Sequence, residues 1–453
     1  MRARSLFARL AIQRSHAPRV AALAAPVILG SLSYTLLTAV DTVFLGRLGD
    51  APLAASGIAG VLFFAIVFAL GSLSVGVQTL TARRFGEGDF ARCGDVLRVG
   101  LTLSLLLGLP LAAGAPWIAR WAAPLLSNDP LVVRLGTKYL EFRLYGAPFT
   151  FFGWMYAAFF AGIGKTRHQF ESSLLVTIAN IGLDYGLIFG RLGLPRLEVT
   201  GAALASSLAV ALGAAYFAAV SWLPAVRRRF RRPRGEVRSP VVGAILRLSL
   251  PVGAQRVVSH GSWFAFFFVV SRIGTVELAA TNVLRSIYSL TIMLAVGMGT
   301  AASALVGQNL GAGRPDDAER YAWEAVKLAA YAMGAVGLLF LFAPSLLLRI
   351  YTVQPEVLAA GRGPLSWLGF VQAFAGVALV LSHALQGAGN TRFVFVVEIL
   401  VCVGLYLPVV YTLGLRTPLG LAGAWTGEYV YWTTLAVIMA AKFRRGTWKR
   451  IVV

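Results

Sequence analysis

Charge is what this sequence has least of. Aspartate, glutamate, lysine and arginine together make up 13% of its 453 residues, about half the share that covers an ordinary water-soluble domain. A soluble globule of this size is excluded, because the polar material to clothe it is missing. Cysteine is nearly absent. Cys93 and Cys402 give neither a disulfide framework nor a thiolate metal site, and both are expected to be inert packing residues. The four histidines fall without HxxxH or HxH spacing. With no His/Asp ligand cluster and no Ser-His pair, neither an enzyme activity nor a cofactor is expected. Acid is scarcer than base: 19 acidic residues stand against 41 basic ones, a net charge of +22. In a soluble protein that surplus would point to nucleic acid. Here the basic residues lie between apolar runs and not along one helix face, so membrane orientation accounts for them and no nucleic-acid partner is expected.

What is present is hydrophobic sequence, 58% of the chain, with a mean hydropathy of +0.74. Runs long enough to cross a hydrocarbon core of about 30 Å recur throughout. Read against breakers, they predict spans at 19–46, 54–82, 96–118, 134–162, 169–190 and 199–223, then at 243–271, 278–307, 322–347, 357–386, 393–413 and 419–442. The expected organisation is therefore a basic leader (1–18), a first lobe of six helices (19–223), a basic linker (224–242), a second lobe of six (243–442) and a tail (443–453). Leader, linker and tail are all strongly basic, and so is the 83–98 loop with Arg83, Arg84, Arg92 and Arg98. The alternate loops carry isolated charges such as Arg47, Arg191, Arg196 and Arg416. By the positive-inside rule both termini are expected in the cytoplasm of a multi-pass protein of a bacterial inner membrane. The leader could imitate a signal peptide, but the apolar stretch behind it is too long and belongs to a repeat.

The repeat is internal and regular. Pro26 matches Pro251, Leu53-Ala54-Ala55 matches Leu278-Ala279-Ala280, and Gly86-x-Gly88 matches Gly311-x-Gly313. Gly162-x-Gly164-Lys165-Thr166-Arg167 matches Gly387-x-Gly389-Asn390-Thr391-Arg392 at the same offset of 225 residues. A tandem duplication of six-helix units predicts an all-α membrane fold of two lobes in parallel repeat, with a central cavity between and within them.

Few acids lie inside spans. Asp41 is well inside the first and Asp184 inside the fifth. A carboxylate at membrane depth costs several kcal/mol, so it faces a cavity or a partner. Asn180 and Asp184, four apart, share a helix face. If the first and fifth helices adjoin, two carboxylates and an amide converge on a Na⁺ cage or a proton site. The plainer alternative is that each aspartate only bonds a neighbouring helix. At the repeat offset Asp41 corresponds to Phe266, Asn180 to Leu405 and Asp184 to Val409, so the cage is expected in one lobe only. Ser206 is a weaker candidate ligand, because small residues in its helix equally suit packing. Tyr34, Thr38 and Asp41 form a polar stripe, and Tyr34 and Thr38 are assigned with Gln255, His260, Gln308 and Gln372 to the substrate path. Lone histidines such as His260 and His383 are as easily helix-contact residues. Pro26 lies within the first span and removes a backbone hydrogen bond, which makes it a candidate hinge. Glu398 and Glu428 are read as buried ion pairs with Arg256 and Arg285, ahead of a second ion site.

The segment Pro26-Val-Ile-Leu-Gly30 through Asp41-Thr-Val-Phe-Leu-Gly46-Arg-Leu-Gly49, the two GxGxTR-type loops and the string Gln308-Asn-Leu-Gly-Ala312 resemble those of multidrug and toxic compound extrusion transporters. The resemblance covers essentially the whole chain. Asp41 with Asn180-x-x-x-Asp184 is most similar to the DinF-like branch. The branch with a glutamate eight residues after the seventh-helix proline fits less well, since Ser259 stands there. The resemblance implies H⁺- or Na⁺-coupled export of amphipathic or cationic compounds by rocking of two lobes. The protein is expected to act as a monomer in the lipid bilayer, with no cofactor beyond its coupling ion. A flippase for lipids or lipid-linked oligosaccharides is the alternative, and it predicts a more cationic interior than these spans supply.

Overall fold

The structure, a computed structural model, describes Ile12 and residues 15–125, 127–230 and 239–453. Among the described residues every regular element is helical. A bilayer imposes this, because without water each backbone N–H and C=O needs a partner within its own segment. Twelve long segments follow in order. The first six are α1 (Ala17–Gly46), α2 (Asp50–Gly86), α3 (Phe90–Ala113), α4 (Pro130–Tyr145 continued by Ala147–Gly162), α5 (Arg167–Phe189) and α6 (Glu198–Trp222). The second six are α7 (Ser239–Ile273), α8 (Thr275–Gly311), α9 (Pro315–Phe342), α10 (Pro355–Gly387), α11 (Thr391–Leu415) and α12 (Gly420–Arg444).

Ten of these are long and apolar enough to cross a membrane by themselves; α4 and α12 are not among them. Gly146 breaks α4, which also carries Arg134, Lys138, Glu141 and Arg143, while Trp, Tyr, Thr and Gly dilute the hydropathy of α12. The expected ends shift by a few residues. The α9 helix starts at Pro315 and not at 322, and α3 starts at Phe90 and not at 96, because Asp89 caps it by accepting from the Arg92 N–H at 3.0 Å. Part of the basic 83–98 loop is therefore helical. Large apolar side chains face outward all along the molecule, Trp121 at 76% and Phe342 at 79% exposure, which suits lipid and not water.

The chain divides into two compact units, and their borders fall inside helices. One unit is Leu29–Gly253; the other joins the chain up to Ile28 with Ala254–Val453. Relative to the lobes expected at 19–223 and 243–442, the first part of α1 thus belongs with the C-terminal half, and the first part of α7 with the N-terminal half. The physical reason is close packing at small residues. Within the Leu29–Gly253 unit, the Gly76 N–H donates to Ser249 Oγ at 3.2 Å, and a Cβ on Gly76 would stand 2.7 Å from the Ile245 carbonyl. Within the other unit, a Cβ on Gly297 would stand 2.4 Å from Ile28 and 3.2 Å from the Ala24 carbonyl. Ile28 and Gly253 are themselves 225 residues apart, so the exchange is part of the duplication.

Of the expected leader, Ile12 and residues 15–18 are described. Residues 231–238 of the expected linker lie outside the described residues, and Arg227 and Arg229, before them, lie over the Trp222 and Phe90 rings at 5.2 and 4.3 Å. The tail is anchored. Trp448 is fully buried against Phe443, and Lys449 pairs with Asp316 and Glu319 at 2.9 and 2.6 Å.

A bulky residue at the α2–α7 contact should be costly. Gly76→Val is expected to lower the thermal unfolding midpoint in detergent by several degrees, an overpacking penalty of about 1–3 kcal/mol. Gly57→Ala on the same helix, where a Cβ meets nothing within 4 Å, should keep or raise it, by up to ~1 kcal/mol of helix propensity. Equal losses in the two variants would contradict the close contact.

Candidate functional site

The upper part of α1 is unusually rich in hydroxyls for an apolar helix. Ser33, Thr35, Thr38 and Thr42 return their protons to carbonyls of the preceding turn, on Leu29, Ser31, Thr35 and Thr38, at 2.8–3.2 Å. Satisfied this way, they are tolerated at membrane depth. Thr38, expected on the substrate path, thereby spends its donor inside its own helix. α5 lies directly against this part of α1. Thr177 donates to the Ser33 carbonyl at 3.2 Å, and a Cβ on Gly30 would reach Ser173 Oγ at 3.1 Å.

One turn along from Thr177 the two helices are joined by Asn180. Its amide is assigned with the NH₂ toward the carboxylates, the orientation in which every partner is satisfied. It then donates to Asp41 Oδ1 at 2.9 Å and to Asp184 Oδ2 at 3.2 Å, while its oxygen accepts the Ser206 backbone N–H at 3.3 Å. Asn180 and Asp184 are wholly buried. The carboxyl groups of Asp41 and Asp184 also lie within hydrogen-bonding reach of each other. Two carboxylates are acceptors only. That contact therefore holds when a proton lies between them or a cation replaces it. Asp184 Oδ1 is buried without a hydrogen-bond partner among the described residues.

The expected set Asp41, Asn180, Asp184 and Ser206 is thus brought together, with one change of detail. Ser206 meets Asn180 through its backbone N–H, which leaves no ligand role for its hydroxyl in that bond. Two further residues on α4 were not anticipated. Arg143 acts electrostatically on both aspartates without making a direct ion pair with either; its guanidinium lies over the Phe63 ring at 4.3 Å. Tyr139, one turn earlier and 8% exposed, is close to Asp41, Asp184, Arg143 and Tyr34. The available signal was their i, i+4 spacing inside a span whose hydropathy is otherwise interrupted.

The remaining expected residues do not gather here. Tyr34 is near the group but 49% exposed. Gln255, His260, Gln308 and Gln372 all belong to the other unit. Gln255 donates to Glu398 at 2.5 Å, and His260 Nδ1 is 2.8 Å from the Arg256 carbonyl of its own helix. Gln308 accepts from Arg19 at 3.4 Å, and Gln372, fully buried, accepts from Thr291 at 3.0 Å. Among the described residues the glutamates meet neutral donors where ion pairs were expected. Glu398 is held by Gln255, Ser259 and Tyr431, and Glu428 by Trp432, while Arg285 stacks on Phe267 at 5.5 Å. Neutral donors cost less to desolvate than guanidinium groups, and they suffice for an acceptor-only carboxylate.

A family model described as MatE matches residues 26–186 and again 251–412, one match in each half of the duplication. Among curated relatives, the multidrug resistance protein NorM of Burkholderia vietnamiensis is 31% identical over 444 residues, covering 95% of this chain and 94% of that protein. The multidrug resistance protein PmpM of Pseudomonas aeruginosa is 24% identical over 440 residues, 95% and 92% of the two chains. Among solved structures, a MOP superfamily transporter from Pyrococcus furiosus superposes with a TM-score of 0.87 at 23% identity, over 96% of both chains. A MATE crystallised in a bent conformation gives 0.86 at 22% identity, over 94% of both chains. These two likenesses carry the fold: twelve helices in two lobes.

The amide bridge makes a graded prediction. Asn180→Leu leaves the facing carboxylates without their shared donor and should destabilise the protein by about 2–4 kcal/mol. Ser206→Ala keeps the backbone N–H that Asn180 uses and should cost under ~1 kcal/mol. Intrinsic tryptophan fluorescence during thermal unfolding measures both. A larger loss for Ser206→Ala would reverse the assigned amide orientation.

Proposed function

Because the chain belongs to the MatE family of multidrug and toxic compound extrusion transporters, we propose that it exports amphipathic or cationic compounds across a bacterial inner membrane against an inward flow of H⁺ or Na⁺. The observation that carries the reading is the Asp41–Asn180–Asp184 bridge between α1 and α5. An empty carboxylate pair in a desolvated pocket repels itself, and a bound cation relieves that repulsion. Loading would draw α1 and α5 together. Pro26 lies inside α1 two residues before the helix passes from one compact unit to the other, and it lacks the N–H that would stiffen the helix there. Ion entry would then bend α1, close the space beside Tyr34 and Tyr139, and expel the compound. A membrane potential drives such a step by about 2.3 kcal/mol per charge per 100 mV. The names of the NorM and PmpM relatives support drug export, and the Asp41 and Asn180-x-x-x-Asp184 pattern favours the DinF-like branch. The basic leader, linker and tail support termini on the cytoplasmic side.

Thermodynamic linkage makes the scheme testable. Ion and compound must weaken each other's binding by the same factor, ordinarily about 5- to 150-fold. Affinity for a fluorescent cationic dye, measured in detergent, should fall as pH drops or as Na⁺ rises, and Asp41→Asn should flatten that dependence. In vesicles, imposing a pH gradient and a Na⁺ gradient separately should drive efflux with one of them, and Asp41→Asn or Asp184→Asn should abolish it. Dye affinity indifferent to both ions would leave the aspartates with a structural role only.

Orientation has its own test. A reporter fused after residue 235 and another at the C-terminus should read cytoplasmic, and one near Gly193 periplasmic. A periplasmic signal after residue 235 would overturn the topology.

A further inference from the structure

Large apolar side chains face outward along the molecule, and the outer face of α4 departs from them. Arg134, Lys138, Glu141 and Tyr145 follow one another at spacings of four, three and four residues. At about 100° per residue they fall within about 60° of each other, a stripe along one side of the helix. Tyr139 and Arg143, which face the aspartate pair, are on the opposite side. Arg134 and Tyr145 are exposed, and the Lys138 side chain is 57% exposed. Lys138 pairs with Glu141 Oε2 at 3.3 Å, and the Tyr145 hydroxyl donates to Glu141 Oε1 at 3.1 Å. Arg134 closes no ion pair with any described residue.

Two observations set the depth of this stripe. Asp41 and Asp184 stand five residues before the ends of α1 and α5 at Gly46 and Phe189, about 7 Å inside them. Tyr139 is close to both aspartates, so Lys138 and Glu141, which flank it, lie below the helix ends. The short helix Ala115–Ala122 packs against the same segment of α4 and leaves Trp117 and Trp121 exposed. Exposed indoles settle at the level of lipid headgroups, and Arg134, one turn into α4, shares that end of the helix. A long basic side chain below this level ordinarily snorkels outward. Lys138 does the reverse, turning along the helix to Glu141. Nor does the fold demand the stripe. Gly162 and Gly387 hold the 225-residue offset at the ends of α4 and α10, and the four positions become Ala359, Gly363, Ser366 and Phe370 in α10.

We propose that the outer face of α4 binds one acidic phospholipid, its phosphate on Arg134 and its ester carbonyls on Lys138. Arg134 presents a planar fork that matches two phosphate oxygens. An ammonium has three donors, and Glu141 engages one of those on Lys138. The remaining protons suit ester carbonyls, which lie deeper in a leaflet than the phosphate. Glu141, capped by Tyr145, neutralises Lys138, so the inner part of the stripe carries no net charge. One cation is left, Arg134, and a headgroup of charge −1 balances it. A zwitterionic lipid brings its own ammonium and leaves Arg134 uncompensated, which gives the site its preference. The proposal rests on the membrane fold and not on the antiport.

Native mass spectrometry of the full-length protein, delipidated in detergent and titrated with dioleoylphosphatidylglycerol or dioleoylphosphatidylcholine, counts the lipids that stay bound. Phosphatidylglycerol should be retained in preference. Arg134→Gln should weaken its tightest site about fivefold, the effect of one lost charge near a headgroup, and leave phosphatidylcholine unchanged. Arg134→Lys, which keeps the charge without the fork, should fall between. A second measurement reads the place of binding without altering Arg134. Phosphatidylglycerol with brominated acyl chains should quench part of the tryptophan fluorescence saturably, and the Trp117→Phe, Trp121→Phe double variant should lose that part. Equal retention of the two lipids, a tightest site unmoved by Arg134→Gln, or saturable quenching that survives in the double variant would overturn the proposal. So would a dimer of the unmodified protein that Arg134→Gln converts to monomer, since the stripe would then join two copies. Failure of dye efflux to follow either ion gradient would defeat the antiport reading and leave these measurements standing.

Discussion

The cost of holding a carboxylate away from water governs this structure more than any other term. Most of the chain has solved that problem by carrying no acid at all, and its few buried acids are each surrounded by groups chosen to make them bearable. Asp184, wholly buried, has the Asn180 amide on one oxygen and the positive field of Arg143 nearby. Arg143 stops short of a direct ion pair. A closed pair would fix the charge and remove any reason for a cation to enter, whereas an arginine held off over Phe63 lowers the cost of ionisation without filling the site. On the proposed reading, occupancy of the pocket changes its energy, which is the property a coupling site needs.

That local energy acts on helices placed where small residues let backbones approach. Gly30 at Ser173, Gly76 at Ile245 and Gly297 at Ala24 are contacts in which a methyl group would already crowd its neighbour. In lipid there is little hydrophobic drive between helices, so tight van der Waals contact of this kind supplies association. It also explains why compact units cut through α1 and α7. Each of these helices finds its close partner for the first turns in one unit and for the rest in the other, and Pro26 and Pro251 lie just before the change.

How much of this the sequence displays depends on whether a feature is periodic or pairwise. Twelve apolar runs and the 225-residue repeat are periodic, and they carried the fold, the lobes and the convergence of Asp41 with Asn180 and Asp184. Arg143 and Tyr139 escaped because an arginine in a span reads locally as a snorkelling or interfacial residue; its relation to Asp41 exists only across three helices. The exchange of α1 and α7 escaped for the same reason, since the glycines that cause it look like ordinary small residues. The ion pairs expected of Glu398 and Glu428 rested on charge matching along the chain. Side-chain direction decided otherwise, turning Arg285 onto Phe267 and the glutamates onto amide, hydroxyl and indole donors.

The π turn in α11 gives the asymmetry of the halves a structural cause. Early in each half the repeat keeps its offset: Gly162 packs on the Gln78 carbonyl as Gly387 packs on that of Ser303. Beyond the turn the register has moved. Gly201 packs on the Leu187 carbonyl and Gly423 on that of Leu413; the carbonyls are 226 residues apart and the glycines 222, so neither keeps the offset of 225. One inserted residue rotates the rest of α11 by about 100°, the angle per residue of a helix with 3.6 residues per turn. The position opposite Asp184 therefore becomes Val410, which is fully buried in apolar surroundings, and no carboxylate could be kept there cheaply. The polar face reappears instead at Tyr406, turned toward α12, where Glu428 stands. The duplicated half did not simply lose its acidic pair. The two halves of one fold present their buried carboxylates on different helices, Asp184 on α5 and Glu398 and Glu428 on α11 and α12.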